Sequence, residues 1–281
     1  MTGRTLLAAA LAALLPAAAA AAPLETFRNR LFVAAEVNGA PVAALLDSGA
    51  EMSVLDDGFA GRLGLAQAGG ATAHGSGAEA LEARFAQGVA IKAAGVRIAD
   101  RTVAVIDLGE VSARLIGRPV DMILGRDLFD AARLRIDIDG GTIDPLPRDA
   151  EPAGVRLALA SHRGIEAFPA AVEGHATAQA VFDLGNGSEV MVGRAFAERI
   201  GLAAPGRIVE RRSGGGLGGA VERDVVRLET LDIAGRTFRD IPAAIDDSPT
   251  AADLNIGTSM LRHFLITTDF ARQSLWLAPH E

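Results

Sequence analysis

The chain contains no cysteine and no tyrosine, and Lys92 is its single lysine. Without cysteine there can be no disulfides, thiol nucleophiles, thiolate-held zinc, iron–sulfur clusters or lipidated N-terminal cysteine. Lys92 lies in Ala90-Ile91-Lys92-Ala93-Ala94-Gly95, so no Gly-Lys-Ser/Thr phosphate loop exists. Basic charge is also scarce. Against 35 Asp+Glu stand 27 Lys+Arg, a formal charge of −8, whereas nucleic-acid binding needs clustered cations to displace counterions. The chemistry left is that of carboxylates, histidine, serine or a bound ion.

Residues 1–22 carry one charge, Arg4, then an apolar run from Leu6 to Leu15, Pro16 and an alanine-rich exit ending Ala20-Ala21-Ala22. A basic start, an apolar centre and small residues at the exit form the secretory pattern. The competing reading is a membrane anchor, but spanning takes about 20 strongly apolar residues, and this run is mostly alanine and broken by Pro16. We therefore expect a cleaved signal over 1–22, a periplasmic or secreted location, and no stable membrane insertion of the mature chain.

Of the 281 residues, the part after the signal reads as one unit written twice. Phe32-Val33-Ala34-Ala35 through Leu45-Leu46-Asp47 aligns without a gap on Phe168-Pro169-Ala170-Ala171 through Val181-Phe182-Asp183. Gly49 and Gly185 each follow the aspartate by two places. Phe59-Ala60-Gly61-Arg62-Leu63-Gly64-Leu65 then matches Phe196-Ala197-Glu198-Arg199-Ile200-Gly201-Leu202, and Ile123-Leu124-Gly125 matches Asn255-Ile256-Gly257. Apolar runs of strand length recur, separated by turn pairs such as Asn38-Gly39, Glu173-Gly174 and Ala94-Gly95. Short helical periodicity is confined to 58–65, 126–134, 194–202 and 258–264. The reading is a mainly β protein of two related units, 24–147 and 152–281, joined by the Pro-rich, charged seam from Asp144 to Pro152.

The copies agree on an acid. Val42-Ala43-Ala44-Leu45-Leu46 runs into Asp47-Ser48-Gly49-Ala50, and Ala180-Val181-Phe182 runs into Asp183-Leu184-Gly185-Asn186-Gly187-Ser188. A carboxylate directly after a buried strand is costly unless hydrogen-bonded or shared, and the glycine lets the backbone turn its N–H groups towards it. One such loop could be a simple turn. Two at matching places in a duplicated unit would meet across a pseudo-twofold axis, and adjacent like charges would share one proton.

The Asp47-Ser48-Gly49-Ala50 loop, with Ile123-Leu124-Gly125 before a short helix, resembles a lobe of the retropepsin-like aspartic peptidases. The second copy repeats the pattern as in bilobal single-chain members. The resemblance implies two acid-protease-like β-barrel lobes with short helices and a cleft between them. It implies Asp47 and Asp183 as the catalytic dyad, supported by Ser48, Gly49, Ala50, Gly185, Asn186 and Ser188, with no cofactor or metal. It further implies a polypeptide substrate lying extended beneath Gly-rich flaps, for which the candidates are His74-Gly75-Ser76-Gly77 and Gly214-Gly215-Gly216. A monomer is expected rather than a dimer of first lobes. Leu184 stands where the family has a hydroxyl, with Asn186 and Ser188 as possible substitutes. This motivates a second reading, a catalytically weak or inactive peptide-binding or scaffolding protein on the same fold.

Other clusters have simpler readings. Asp137-Ile138-Asp139-Gly140-Gly141 faintly resembles a calcium loop but has Arg148 where the closing glutamate belongs, and it reads as a hairpin turn. The five histidines show no metal spacing, and Asp56-Asp57 reads as a helix cap.

Overall fold

The computed structural model describes residues 21–280. The expected signal segment lies outside them apart from Ala21 and Ala22. Among the described residues no helix is long and apolar enough to cross a membrane.

The fold is mainly β, in a 13-stranded and an 8-stranded sheet with short helices between. The expected turns are present. Asn38 and Gly39 take φ of 50° and 85° and join strands Arg30–Val37 and Ala40–Leu46; Glu173-Gly174 does the same between Ile165–Val172 and His175–Phe182. The four expected helices occur at Asp57–Arg62, Arg126–Ala131, Arg194–Arg199 and Thr258–Leu261. Asp56 caps the first by accepting from the Phe59 N–H. The Gly109–Val111 and Ser112–Ile116 turns were not foreseen, and they lack the length for a readable period. Asp137 accepts from the Gly140 N–H at 2.7 Å, which makes the calcium-like segment a hairpin turn. Asp144 and Pro145 close the Thr142–Pro145 strand, so the linker proper starts after them.

The two halves share a floor. In the 13-stranded sheet, Leu134–Asp137 pairs antiparallel with Phe264–Asp269, and Val155–Ala158 is added beside Ser274–Pro279. Within that sheet Arg133 and Asp269 form an ion pair at 3.1 Å, with side chains 4% and 1% exposed. Phe270 stacks on Phe129 at 5.1 Å and meets the edge of Phe182 at 6.4 Å, so one aromatic row links the lobes. With few aromatics, most of the remaining core is Leu, Ile, Val and Ala.

Each lobe presents its acid from the same device. Ala40–Leu46 runs parallel to Met122–Leu124, and His175–Phe182 runs parallel to Leu254–Ile256. The chain leaves each first strand at the aspartate, whose N–H still reaches the neighbouring strand: Asp47 to Leu124 O at 3.0 Å, Asp183 to Ile256 O at 3.1 Å. These last bonds fix both carboxylates at a strand end on the rigid sheet.

Candidate active site

Beyond each aspartate the two loops share their first bonds. Gly49 N–H donates to Asp47 Oδ1 at 2.8 Å, and Gly185 N–H donates to Asp183 Oδ1 at 2.9 Å. Arg126 N–H then closes on Ala50 O, and Thr258 N–H on Asn186 O, both at 2.9 Å. The carboxylates face each other across the axis. A Cβ at Gly49 would stand 2.8 Å from Asp183 Oδ1, and one at Gly185 would run into the Asp47 carboxyl carbon. Glycine is therefore required at both places by the opposite acid as well as by its own loop.

Ser48 spans the place where Leu184 lacks a hydroxyl. Its hydroxyl donates to Phe182 O at 2.8 Å and accepts from Leu184 N–H at 2.9 Å. One side chain so ties the first loop to both sides of the second. Leu184 itself is fully buried and belongs to the hydrophobic core. Of the suggested substitutes, Ser188 is exposed, and its N–H serves only to hold Asn186 Oδ1 at 2.9 Å.

Asn186 acts through a residue that sequence reasoning missed. Its Nδ2 donates to Asn255 Oδ1 at 2.8 Å, and Asn255 Nδ2 donates to Asp183 Oδ2 at 2.7 Å. Asn186 N–H also reaches Asp183 Oδ1 at 3.1 Å. The signal was available: Leu254-Asn255-Ile256 matches the wholly apolar Met122-Ile123-Leu124, and a polar residue in such a strand needs a partner.

The two carboxyl groups are thus placed asymmetrically. Asp183 accepts from two backbone N–H groups and a carboxamide. Asp47 is pushed up to about 8, first by loss of hydration and then by the negative charge of Asp183, which the N–H groups of Gly49 and Ala50 only partly oppose. Of the two carboxyl groups, that of Asp47 is the one held in its neutral form by burial and by its neighbour's charge. Arg30, 6% exposed, was also missed; its charge acts on both acids, on Asp183 more strongly.

The two Gly-rich tips meet each other. Gly77 N–H donates to Leu217 O at 2.9 Å and Glu79 N–H to Gly218 O at 2.7 Å. Arg223 reaches across to Ser76 O and Arg114 to Gly216 O, each at 2.8 Å. Gly75 lies against Leu217 and Gly216 against Ser76, while Gly214 and Gly215 pack beside Arg223 and Gly219. His74 is exposed at the end of strand Gln67–His74, and among the described residues its imidazole makes no hydrogen bond.

Elsewhere, Asp56, Asp57 and Asp107 bring carboxylate oxygens within 4.8 Å of one another. Asp56 is already engaged by the N–H groups of Phe59 and Leu108, and the cluster is explained as a cap.

No curated protein matches the chain. A family profile does, the one described as Aspartyl protease, and it matches twice, over residues 33–128 and 168–260, once around each aspartate loop. The twofold match runs through most of both lobes, and the chain belongs to this aspartyl protease family of the retropepsin-like clan.

Proposed function

We propose that the protein is an exported aspartic endopeptidase that hydrolyses peptide bonds with water activated by Asp47 and Asp183. The observation that carries this reading is the mutual packing of each carboxylate against the other's loop glycine, Asp183 on Gly49 and Asp47 on Gly185.

The asymmetry of the pair gives each acid its role. Asp183, held by Asn255, is the base that takes a proton from a water bridging the dyad as its oxygen attacks the peptide carbonyl. Asp47 gives its proton to the carbonyl oxygen, which completes a neutral tetrahedral diol. In collapse the proton on Asp183 passes to the departing nitrogen, and Asp47 recovers one from a diol hydroxyl. The dyad ends as it began. The touching tips give an extended peptide backbone a strand-like partner from above, and closure over the cleft would exclude bulk water.

Cleavage of an unfolded protein by the wild type, Asp47→Asn and Asp183→Asn tests the reading. Turnover should fall by a thousandfold or more in each variant. Equal residual cleavage in all three removes the dyad, and binding of peptide without cleavage by the wild type at every pH favours the scaffolding alternative. Export rests on the 1–22 pattern. It is tested by N-terminal sequencing of the protein recovered from the cell envelope or medium, where an intact Met1 would overturn it.

A further inference from the structure

The pseudo-twofold is broken by charge at the two ends of the dyad. The ungapped register that matches Asp47 with Asp183 also matches Arg30 with Glu166 and Glu51 with Gly187. The shared backbone bonds to Ala50 O and Asn186 O match Arg126 with Thr258. At one end Glu166, 2% exposed, is held by Arg126 Nη2 at 2.7 Å, and Arg126 Nη1 also donates to Gly164 O at 2.6 Å. Arg126 and Glu166 are thus partners there, with Glu51 beside Gly164.

At the other end Arg30 packs against Gly187. The Thr258 hydroxyl is taken by Asn29 O at 2.6 Å. Gly187 offers no side chain, and a Cβ there would stand 2.9 Å from Arg30 Cγ and 3.1 Å from Nη1, so glycine leaves the arginine its room. Among the described residues Arg30 forms no ion pair, and its hydrogen bond, from Nη1 to Arg28 O, is long at 3.4 Å. It is 6% exposed. A guanidinium is always charged and presents a fork of donors that fits a carboxylate. Buried without a contact partner it is costly, and a ligand anion removes that cost. The dyad supplies negative charge nearby but no hydrogen-bonding oxygen to the fork.

We propose that Arg30 is a specificity residue that receives a carboxylate of the peptide on the Gly187 side of the scissile bond. The carboxylate is that of an acidic side chain or of the chain terminus. This rests on the peptidase reading above and adds to it the substrate class.

The test uses the full mature chain and matched peptides that place Glu or Gln at each position around the cleavage site, with free or amidated C-termini. At one position the wild type should prefer Glu to Gln by tenfold or more in kcat/KM, carried mainly by KM. If the free terminus is the ligand, amidation should produce that loss instead. Arg30→Met should erase the preference and Arg30→Lys should retain part of it. Absence of any acid or terminal preference in the wild type overturns the proposal without need of a variant. So does a preference that survives in a folded Arg30→Met. If Arg30 only sets the charge of the dyad, its loss moves the pH profile and leaves the Glu/Gln ratio unchanged, which also overturns it. Binding of the same peptides with a reduced, uncleavable bond, followed by calorimetry, separates the two claims. Arg30-dependent binding of these analogues, with the parent peptides left uncut, would uphold the carboxylate site while the catalytic reading falls.

Discussion

The carboxamide nitrogen of Asn255 lies 2.7 Å from Asp183 Oδ2, and the residue matching Asn255 in the first lobe is Ile123, which has no donor to offer Asp47. A hydrogen bond to a charged group contributes about 1.5–3 kcal/mol. Asn255→Leu should therefore lower kcat/KM by about tenfold or more, because Asp183 loses the donor that orients it. Unchanged kinetics in the folded variant would mean that Asn255 plays no part in turnover.

The raised Asp47 sets an upper pH limit. Its proton is required on the acid side of the reaction and is retained up to about pH 8, so activity should persist through neutrality and fall above that value. Stability carries the same signature. Because the folded pKa lies above the unfolded one, the native state binds more protons between the two, and stability falls as pH rises through that window. Thermal unfolding should show Asp47→Asn more stable than the wild type at pH 8 to 9, with the difference closing towards pH 4. An advantage that grows on acidification would contradict the assignment.

Ser48 and Leu184 predict opposite responses to apparently corrective changes. Ser48→Ala strands the buried Leu184 N–H and Phe182 O together, at a cost of about 2–4 kcal/mol in denaturant unfolding. Leu184→Ser restores the hydroxyl familiar in this family, yet it empties a fully buried core position. It should destabilise by about 2–5 kcal/mol and gain no activity. A faster enzyme from that substitution would show that the single Ser48 bridge is insufficient.

At the tips, Gly77→Ala drives a methyl group into the backbone of Gly218. The tips should then fail to seat, with kcat/KM down about tenfold while the unfolding midpoint hardly moves. Unchanged kinetics would mean that contact between the tips plays no part in turnover.

The repeat made much of this legible. Apolar runs ending in Asp-x-Gly, with turn pairs at Asn38-Gly39 and Glu173-Gly174, announced both lobes, because strand period, turn chemistry and a charged strand end are local properties. Asn255 and Arg30 were harder. Each is one polar residue in or beside an apolar run, and its meaning depends on which loop arrives next to it, Asp183 to Asn186 of its own lobe for Asn255 and Gly187 of the far lobe for Arg30. The same holds for Ser48: the sequence reveals that Leu184 lacks a hydroxyl, but only the packing reveals that Ser48 Oγ meets both Phe182 O and Leu184 N.

The strand contact at the shared floor has a symmetry of its own. Leu134 pairs with Thr268 and Ile136 with Ile266, while Arg135 faces Thr267. In the repeat alignment that sets Asp137 opposite Asp269, Leu134 matches Ile266, Ile136 matches Thr268, and Arg135 matches Thr267 itself. The pairing is thus isologous, the kind that a twofold homodimer makes. Each lobe carries both halves of a self-complementary edge, so a proteolytic cut in the linker followed by separation would leave two unsatisfied strands, each templated to pair with another copy of itself.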